Sequence, residues 1–306
     1  MSLRPKLWFQ WQRLRKVFSS SLGAQETMPS STVRMCPHCR ALIDRNSKVC
    51  PLCGETTGPA RARGGTSTPG RIMGVIPIPT TASSVIIVAN LALYVLSWYM
   101  TQNTEAAQLY GAPSMGGISG QVLWRLGDKA PEIILAHQWW RLVTAMFLHA
   151  GLLHIGMNMW CLVDLGPQVE SLFSTTKFTV LYLVTGVAGF ALSLLWAPGG
   201  HSVGASGAIM GLIGILIGAS FHHGHMGKEY RSQLWRWVIY IAIFGIIFNV
   251  DNAAHLGGLA SGLVLGYLIP EGEPATRPSE NLWNALAVLS VLVIGASFVL
   301  MALQLG

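Results

Sequence analysis

His201-Ser202-Val203-Gly204-Ala205-Ser206-Gly207-Ala208-Ile209-Met210-Gly211 opens an apolar segment that runs to about Phe221, and its reading decides the rest of the chain. A serine entering hydrocarbon can be read in two ways. In the first, Gly204, Ala205, Ser206 and Gly207 are small residues that let two membrane helices approach closely, with the hydroxyl bonded back to a carbonyl. In the second, Ser206 is a nucleophile held in a tight turn at a helix start, where glycines leave room for a substrate backbone. The stretch by itself leaves both readings open, and the choice rests on what other segments bring to it.

The surrounding composition is that of a polytopic membrane protein. Of 306 residues, 51% are hydrophobic and only 11% charged, with 11 Trp and a mean hydropathy of +0.47, far from a soluble domain. Apolar runs of spanning length fall at about 82–100, 147–166, 176–197, 206–222, 233–250, 253–270 and 282–304, which predicts seven helices. The second carries His149, His154, Asn158 and Asp164, and the sixth carries His255 near its start. Polar groups are costly at that depth, so they are expected to face the bundle interior and to act there.

The net charge of +7 is concentrated at one end: residues 1–80 hold twelve of the twenty Lys and Arg and three acidic residues. Under the positive-inside rule that end is cytoplasmic, Lys228, Arg231 and Arg236 fall on the same side after four crossings, and the carboxy terminus lies outside after seven. Basic residues beside a first membrane helix follow from topology and from attraction to anionic lipid, so no nucleic-acid partner is expected.

Residues 1–30 form a basic leader in which Arg4, Lys6, Arg13, Arg15 and Lys16 interleave with Leu7, Trp8, Phe9, Trp11 and Leu14. The pattern suits an interfacial amphipathic helix, and a disordered basic leader has the same composition. It lacks the apolar core of a signal peptide. Residues 31–56 hold Cys36-Pro37-His38-Cys39, ten further residues, and Cys50-Pro51-Leu52-Cys53-Gly54. Two such knuckles bring four thiolates, Cys36, Cys39, Cys50 and Cys53, to one tetrahedral structural Zn2+ with no open position for catalysis. Paired disulfides are the competing reading, and the reducing cytoplasm argues against them. The pair resembles the zinc-ribbon family of small modules, whose surface would serve a protein partner. Residues 57–80, rich in Gly and Pro, read as a flexible linker. Cys161 reads as inert packing. The 101–146 segment, with Trp124, Trp139, Trp140 and Arg141, reads as lying in the outer membrane interface.

His154 and Asn158 are four apart and project from one helical face. In Asp251-Asn252-Ala253-Ala254-His255-Leu256-Gly257-Gly258 a histidine stands one turn into a helix, followed by Gly262 and Gly266 at four-residue spacing. That glycine ridge, matched by Gly207, Gly211 and Gly218, would let the fourth and sixth spans close to a short separation and make Ser206 and His255 neighbours. All four polar groups then converge at one membrane depth with the parts for acyl transfer. His255 takes the proton of Ser206, while His154, Asn158 and the Ser206 amide donate to an oxyanion. Asp251 reads as a helix cap, with a third-member role for it as the alternative. His222, His223 and His225 fall at a helix C-terminus, where cations are favoured, rather than forming a metal site.

Gly204-Ala205-Ser206-Gly207, Ala254-His255 with its following glycines, the His149, His154 and Asn158 set, and Trp140-Arg141 together resemble the rhomboid family of intramembrane serine proteases over about 82–270. The resemblance implies a six-helix core at 81–270 in which Ser206 and His255 form a catalytic dyad, with His154 and Asn158 in the oxyanion hole. His149, Gly204, Gly207, Met210, Trp140 and Arg141 would support the substrate site. It further implies a membrane-embedded first loop around Trp140-Arg141 and cleavage of single-span membrane proteins near the outer face. Residues 271–306 would add a linker and a seventh helix, as in the "six plus one" subgroup. Many relatives carry tyrosine where this chain has Met210, and a thioether can still pack on an imidazole. The expected fold is therefore an all-α polytopic membrane protein with a rhomboid-like core, one C-terminal transmembrane helix and a small cytoplasmic zinc ribbon. The expected location is a bacterial inner membrane. A non-proteolytic relative acting as a membrane chaperone or adaptor is the alternative, and its mark would be loss of the serine or the histidine. A transporter would show repeated halves or a carboxylate relay, and neither is evident.

Overall fold

The computed structural model describes residues 33–35, 42–44, 47–51, 71–72, 76–77, 81–104, 116–247 and 250–305. The chain divides into two units, Met1–Thr68 and Pro69–Gly306. In the first, β1 (Val33–Met35) pairs antiparallel with β2 (Leu42–Asp44), with Met35 opposite Leu42, and Cys50 is buried. The leader, Cys36, Cys39 and Cys53 lie outside the described residues. In the second unit, β3 (Arg71–Ile72) pairs antiparallel with β4 (Ile76–Pro77). Part of the 57–80 stretch read as a linker is thus a small hairpin.

The rest is helical. The first long helix, α1 (Thr81–Gln102), is apolar outside and polar inside: Ser83, Asn90, Ser97 and Thr101 are fully buried, while Val85, Val88, Val95 and Tyr99 are exposed. The buried groups bond back to their own helix, Asn90 to Ile86 O at 2.7 Å, Ser97 to Leu93 O at 2.7 Å and Thr101 to Ser97 O at 2.8 Å. Such a distribution suits a helix whose solvent is lipid, where polar side chains need partners inside the protein. Short helices α2 (Gly120–Arg125), α3 (Glu132–Leu135) and α4 (Arg141–Thr144) follow, then a 3-10 turn at Ala145–Phe147. Next come α5 (Leu152–Phe173), α6 (Thr175–Trp196) and α7 (Ser206–Ser220). A 3-10 turn at Phe221–His223 leads to α8 (Gly224–Ile247), α9 (Asn252–Leu268) and α10 (Arg277–Leu303).

Helix α7 is the axis of the bundle, with every residue from Gly207 to Ser220 buried. Helix α9 lies along it on glycines. A Cβ at Gly258 would collide with Gly207 O, one at Gly262 with Gly211 O, and one at Gly214 with Leu259 O. The ridge expected at Gly258 and Gly262 therefore meets Gly207 and Gly211, while Gly266 sits between Ile215 and Gly218, a Cβ at Gly218 coming within 2.9 Å of the Gly266 carbonyl carbon. At the other end of the bundle, Glu170 on α5 accepts from the first amides of α1 at Ala82 (3.2 Å) and Ser83 (3.3 Å), where a helix N-terminus favours negative charge.

Among the described residues a long helix overlaps each of the seven expected runs, α8 starting nine residues ahead of its run, and these helices differ in length and apolarity. Helices α1, α6, α7 with its following turn, and α10 are long and apolar enough to cross a membrane. The pair Arg141–Phe147 and Leu152–Phe173, bent by 92°, makes a fifth if it is one span. Helix α8 carries Lys228, Glu229, Arg231 and Arg236, and α9 has 17 residues, so both stay outside that set. The chain is a multi-pass membrane protein, with four or five such spans by length and composition among the described residues. The bend also moves the start of the second long helix from 147 to Leu152, leaving His149 in the turn before it rather than on the face of His154 and Asn158.

Candidate active site

Helices α5, α7 and α9 all begin at one cavity of about 1200 Å³. His154 is the third residue of α5, Ser206 the first of α7 and His255 the fourth of α9. No side chain caps α5 or α7, so two uncapped helix N-termini converge there and favour negative charge.

Ser206 Oγ and His255 Nε2 are 2.8 Å apart, hydrogen-bonded across 49 residues of chain. Asp251 caps α9 by accepting from Ala254 N at 3.0 Å, and its second oxygen accepts from Ser193 Oγ on α6. Both carboxylate oxygens are thus engaged away from the imidazole. His255 Nδ1 is buried and has no hydrogen-bond partner among the described residues. The geometry is that of a cap, as read from the sequence, and not of a third member.

His154 Nδ1 accepts from Ala150 N at 3.4 Å, which leaves Nε2 to carry the proton. That atom lies against the serine turn: a Cβ at Gly204 would stand 2.7 Å from His154 Nε2, and Gly204 has φ of +128°. Glycine is required there for both reasons. Asn158, one turn further along α5, is buried, and its Nδ2 has no hydrogen-bond partner among the described residues. It lines the same cavity as Ser206, His154, Met210 and His255. An unpaired buried N–H costs free energy unless a ligand oxygen comes to meet it. A hydroxyl bonded to an imidazole, with unpaired donors facing the same space, is the minimal equipment for acyl transfer.

Other residues named from the sequence stand behind this surface. His149 is fully buried, with its ring edge-on to His154 at 5.1 Å between centroids, so it backs the first histidine rather than facing the cavity. Gly207 serves the close approach of α7 to Ala254 O. Trp140 and Arg141 turn inward, away from the cavity. Arg141 is 2% exposed, donates to Trp124 O at 2.8 Å and Gln138 Oε1 at 2.6 Å, pairs with Asp128 at 3.3 Å and lies over the Trp140 ring at 4.9 Å. A guanidinium has five donors, and the loop carbonyls offer the acceptors that lipid cannot. Cys161, read as inert packing, lines the cavity, because it lies seven residues from His154 on the same helical face.

Sequence reasoning passed over the polar end of the cavity, formed by Asp128, Lys129 and His201. Asp128 pairs with His201 Nδ1 at 2.8 Å. Burial pushes its carboxyl above the usual range against the opposing pull of His201 and Arg141, and burial pushes the Lys129 ammonium below its own. The available signal was the adjacent pair Asp128-Lys129, opposite charges side by side between Arg125 and Glu132.

Comparison with known proteins agrees with this architecture. Residues 136–271 match the Rhomboid domain. RHOMBOID-like protein 1 of Arabidopsis thaliana is 32% identical over 216 residues, 65% of this chain and 54% of that one. RHOMBOID-like protein 2 of the same plant is 31% identical over 205 residues, 60% of this chain and 65% of that one. Rhomboid protease GluP of Bacillus subtilis is 32% identical over 152 residues, 48% of this chain and 29% of that one. The chain thus spans about half to two thirds of the length of the two plant relatives and less than a third of GluP. These matches support the rhomboid family and, within it, an intramembrane protease family.

Proposed function

We propose that the chain is an intramembrane serine protease that cleaves single-span membrane proteins near the outer membrane face through a Ser206–His255 dyad. The 2.8 Å hydrogen bond between Ser206 Oγ and His255 Nε2, facing a cavity beside the unpaired Asn158 amide, carries the reading. His255 removes the hydroxyl proton as Ser206 Oγ attacks the scissile carbonyl, and returns it to the leaving amine. Water, deprotonated by the same imidazole, then releases the acyl group. Asn158 Nδ2, His154 Nε2 and the amides at the start of α7 receive the negative charge on the tetrahedral oxygen. Substrate reaches the cavity from the bilayer, between surfaces such as Met157, Trp237 and Tyr240 that are already apolar and exposed. The relative named a protease, GluP, is in keeping with this chemistry.

The amino-terminal unit is proposed to hold one structural Zn2+ on Cys36, Cys39, Cys50 and Cys53, in the cytoplasm of a bacterial cell whose inner membrane contains the core. In support, the strands on either side of the first cysteine pair in the sequence, β1 and β2, pair antiparallel, and Cys50 is buried. Four thiolates from two knuckles supply structure and leave no position for a reacting water.

The test is cleavage of a model single-span substrate by the purified chain in liposomes. Wild type is expected to cleave it and to react with a fluorophosphonate at Ser206. Ser206→Ala, His255→Ala and the double variant should lose similar activity, since members of one catalytic unit are strongly non-additive. A wild-type chain that binds the substrate and leaves it whole would be a non-proteolytic adaptor, and full cleavage by His255→Ala would remove the dyad.

A further inference from the structure

The connector between α6 and α7, residues 197–205, delivers Ser206, and it has little secondary structure of its own. Its first turn is closed by Gly200 N donating to Ala197 O at 3.0 Å, and its last residues are tied by Gly204 N donating to Ala145 O at 2.9 Å. Between these points it is held from one direction, by the loop after α2. Lys129 N donates to Ser202 O at 2.9 Å and Lys129 O accepts from Ser202 N at 3.0 Å, a two-way bridge across the cavity rim. The Lys129 ammonium, 1% exposed, donates to Ala197 O at 2.6 Å and to Gly200 O at 2.9 Å. Asp128 holds the residue in between, His201, and is itself anchored by Arg141.

We infer that Lys129, backed by Asp128, is a positioning residue for the nucleophile turn, fixing the 197–204 connector so that the Ser206 amide and hydroxyl stay in register with His154, Asn158 and His255. The inference rests on the protease reading of Ser206. Its physical basis is that a connector of this length samples many conformations unless its carbonyls are held. One buried ammonium satisfies two of them at once, at a site where unpaired carbonyls would be costly. Lys129 holds the connector rather than the reacting atoms, since the two hydrogen bonds of its ammonium go to connector carbonyls. Loosening the connector displaces the oxyanion donors from the place where charge develops. A displacement of about 1 Å costs on the order of a hundredfold in rate while leaving ground-state binding nearly intact.

The experiment uses the full chain in liposomes with the single-span substrate, comparing wild type, Lys129→Met, Lys129→Arg and Ser206→Ala. Lys129→Met should lower kcat by about tenfold to a hundredfold with KM changed by less than about twofold, and should slow fluorophosphonate labelling of Ser206 in proportion. Lys129→Arg, which keeps a cation able to reach two carbonyls, should recover most of the loss. A wild-type kcat in Lys129→Met, or a loss carried by KM, or no recovery with arginine, would overturn the inference while leaving the protease reading in place. A wild type that neither cleaves nor labels would remove that reading and the inference with it. If Lys129→Met does not fold, Asp128→Asn decides by the same kcat and labelling rates. It releases His201 while keeping the ammonium, and it should fall severalfold; wild-type rates in it would overturn the inference.

Discussion

At the scale of single residues, Gly204 shows how tightly the nucleophile turn is built. Its φ of +128° excludes ordinary side chains, and the space a Cβ would take is already held by His154 Nε2 at 2.7 Å and His154 Cε1 at 2.9 Å. Gly204→Ala should therefore cost about 1–3 kcal/mol from the strained backbone. It should also push the His154 donor away from Ser206, with activity falling further than the loss of stability alone would produce. Thermal unfolding in detergent and the labelling rate of Ser206 check the two effects separately. An alanine variant with wild-type labelling would mean that His154 takes no part in holding the oxyanion. Asp251 illustrates the opposite case: a carboxylate near a catalytic-looking histidine whose oxygens are spent on Ala254 N and Ser193 Oγ, so that it sets where α9 begins without touching the imidazole.

At the scale of elements, the α7–α9 contact determines the distance between Ser206 and His255, because each helix carries one of the pair in its first turn. The backbones meet where side chains are missing, with Gly258 over Gly207 O and Gly262 over Gly211 O. Adding a methyl group at Gly262 must separate the helices, and overpacking of this kind typically costs about 1–3 kcal/mol. Gly262→Ala should lower the unfolding temperature and slow labelling of Ser206 two turns away. Gly295→Ala on α10, where nothing lies within 4 Å of the added carbon, should change neither. Equal effects at the two glycines would mean that close approach of α7 and α9 is not what holds the pair together.

At the scale of the whole molecule, two lysines do similar work at different connectors. Lys129 donates to Ala197 O and Gly200 O ahead of α7, and Lys177 donates to Pro270 O at 2.7 Å and Gly272 O at 2.8 Å beyond α9. In lipid, irregular backbone survives only where protein groups satisfy it, and a buried cation with several donors suits that task. The amino-terminal unit, Met1–Thr68, is separate from this scaffold. On the proposed zinc site, replacing Cys36 and Cys39 should release about one zinc per chain while cleavage in detergent stays near the wild-type rate, since a metal held there would support only local folding. Metal analysis alongside the cleavage assay checks this. Collapse of activity in a still-folded variant would make the proposed zinc ribbon part of the enzyme.

The sequence by itself determined whatever depends on local periodicity. Each apolar run overlaps a long helix among the described residues, though four or five of these are long and apolar enough to cross a membrane; the i, i+4 spacing puts His154 and Asn158 on one face, and the four-residue glycine repeats mark where α7 and α9 touch. The convergence of Ser206 and His255 was legible too, because the glycine repeats predict close approach of two helices that each carry one of the pair near its start. Only the tertiary structure decided what is made of partners far apart in the chain. The 92° bend at Leu148–Gly151 took His149 off the helix. The inward turn of Arg141 joined it to the Asp128 loop, 13 residues away. The Lys129 clamp joins groups 68 and 71 residues apart, and the Ser193–Asp251 link spans 58. A polar side chain in an apolar segment announces that it needs a partner, since hydrocarbon offers none. Which partner it finds depends on how the helices pack around it, and that packing is not written in any one segment.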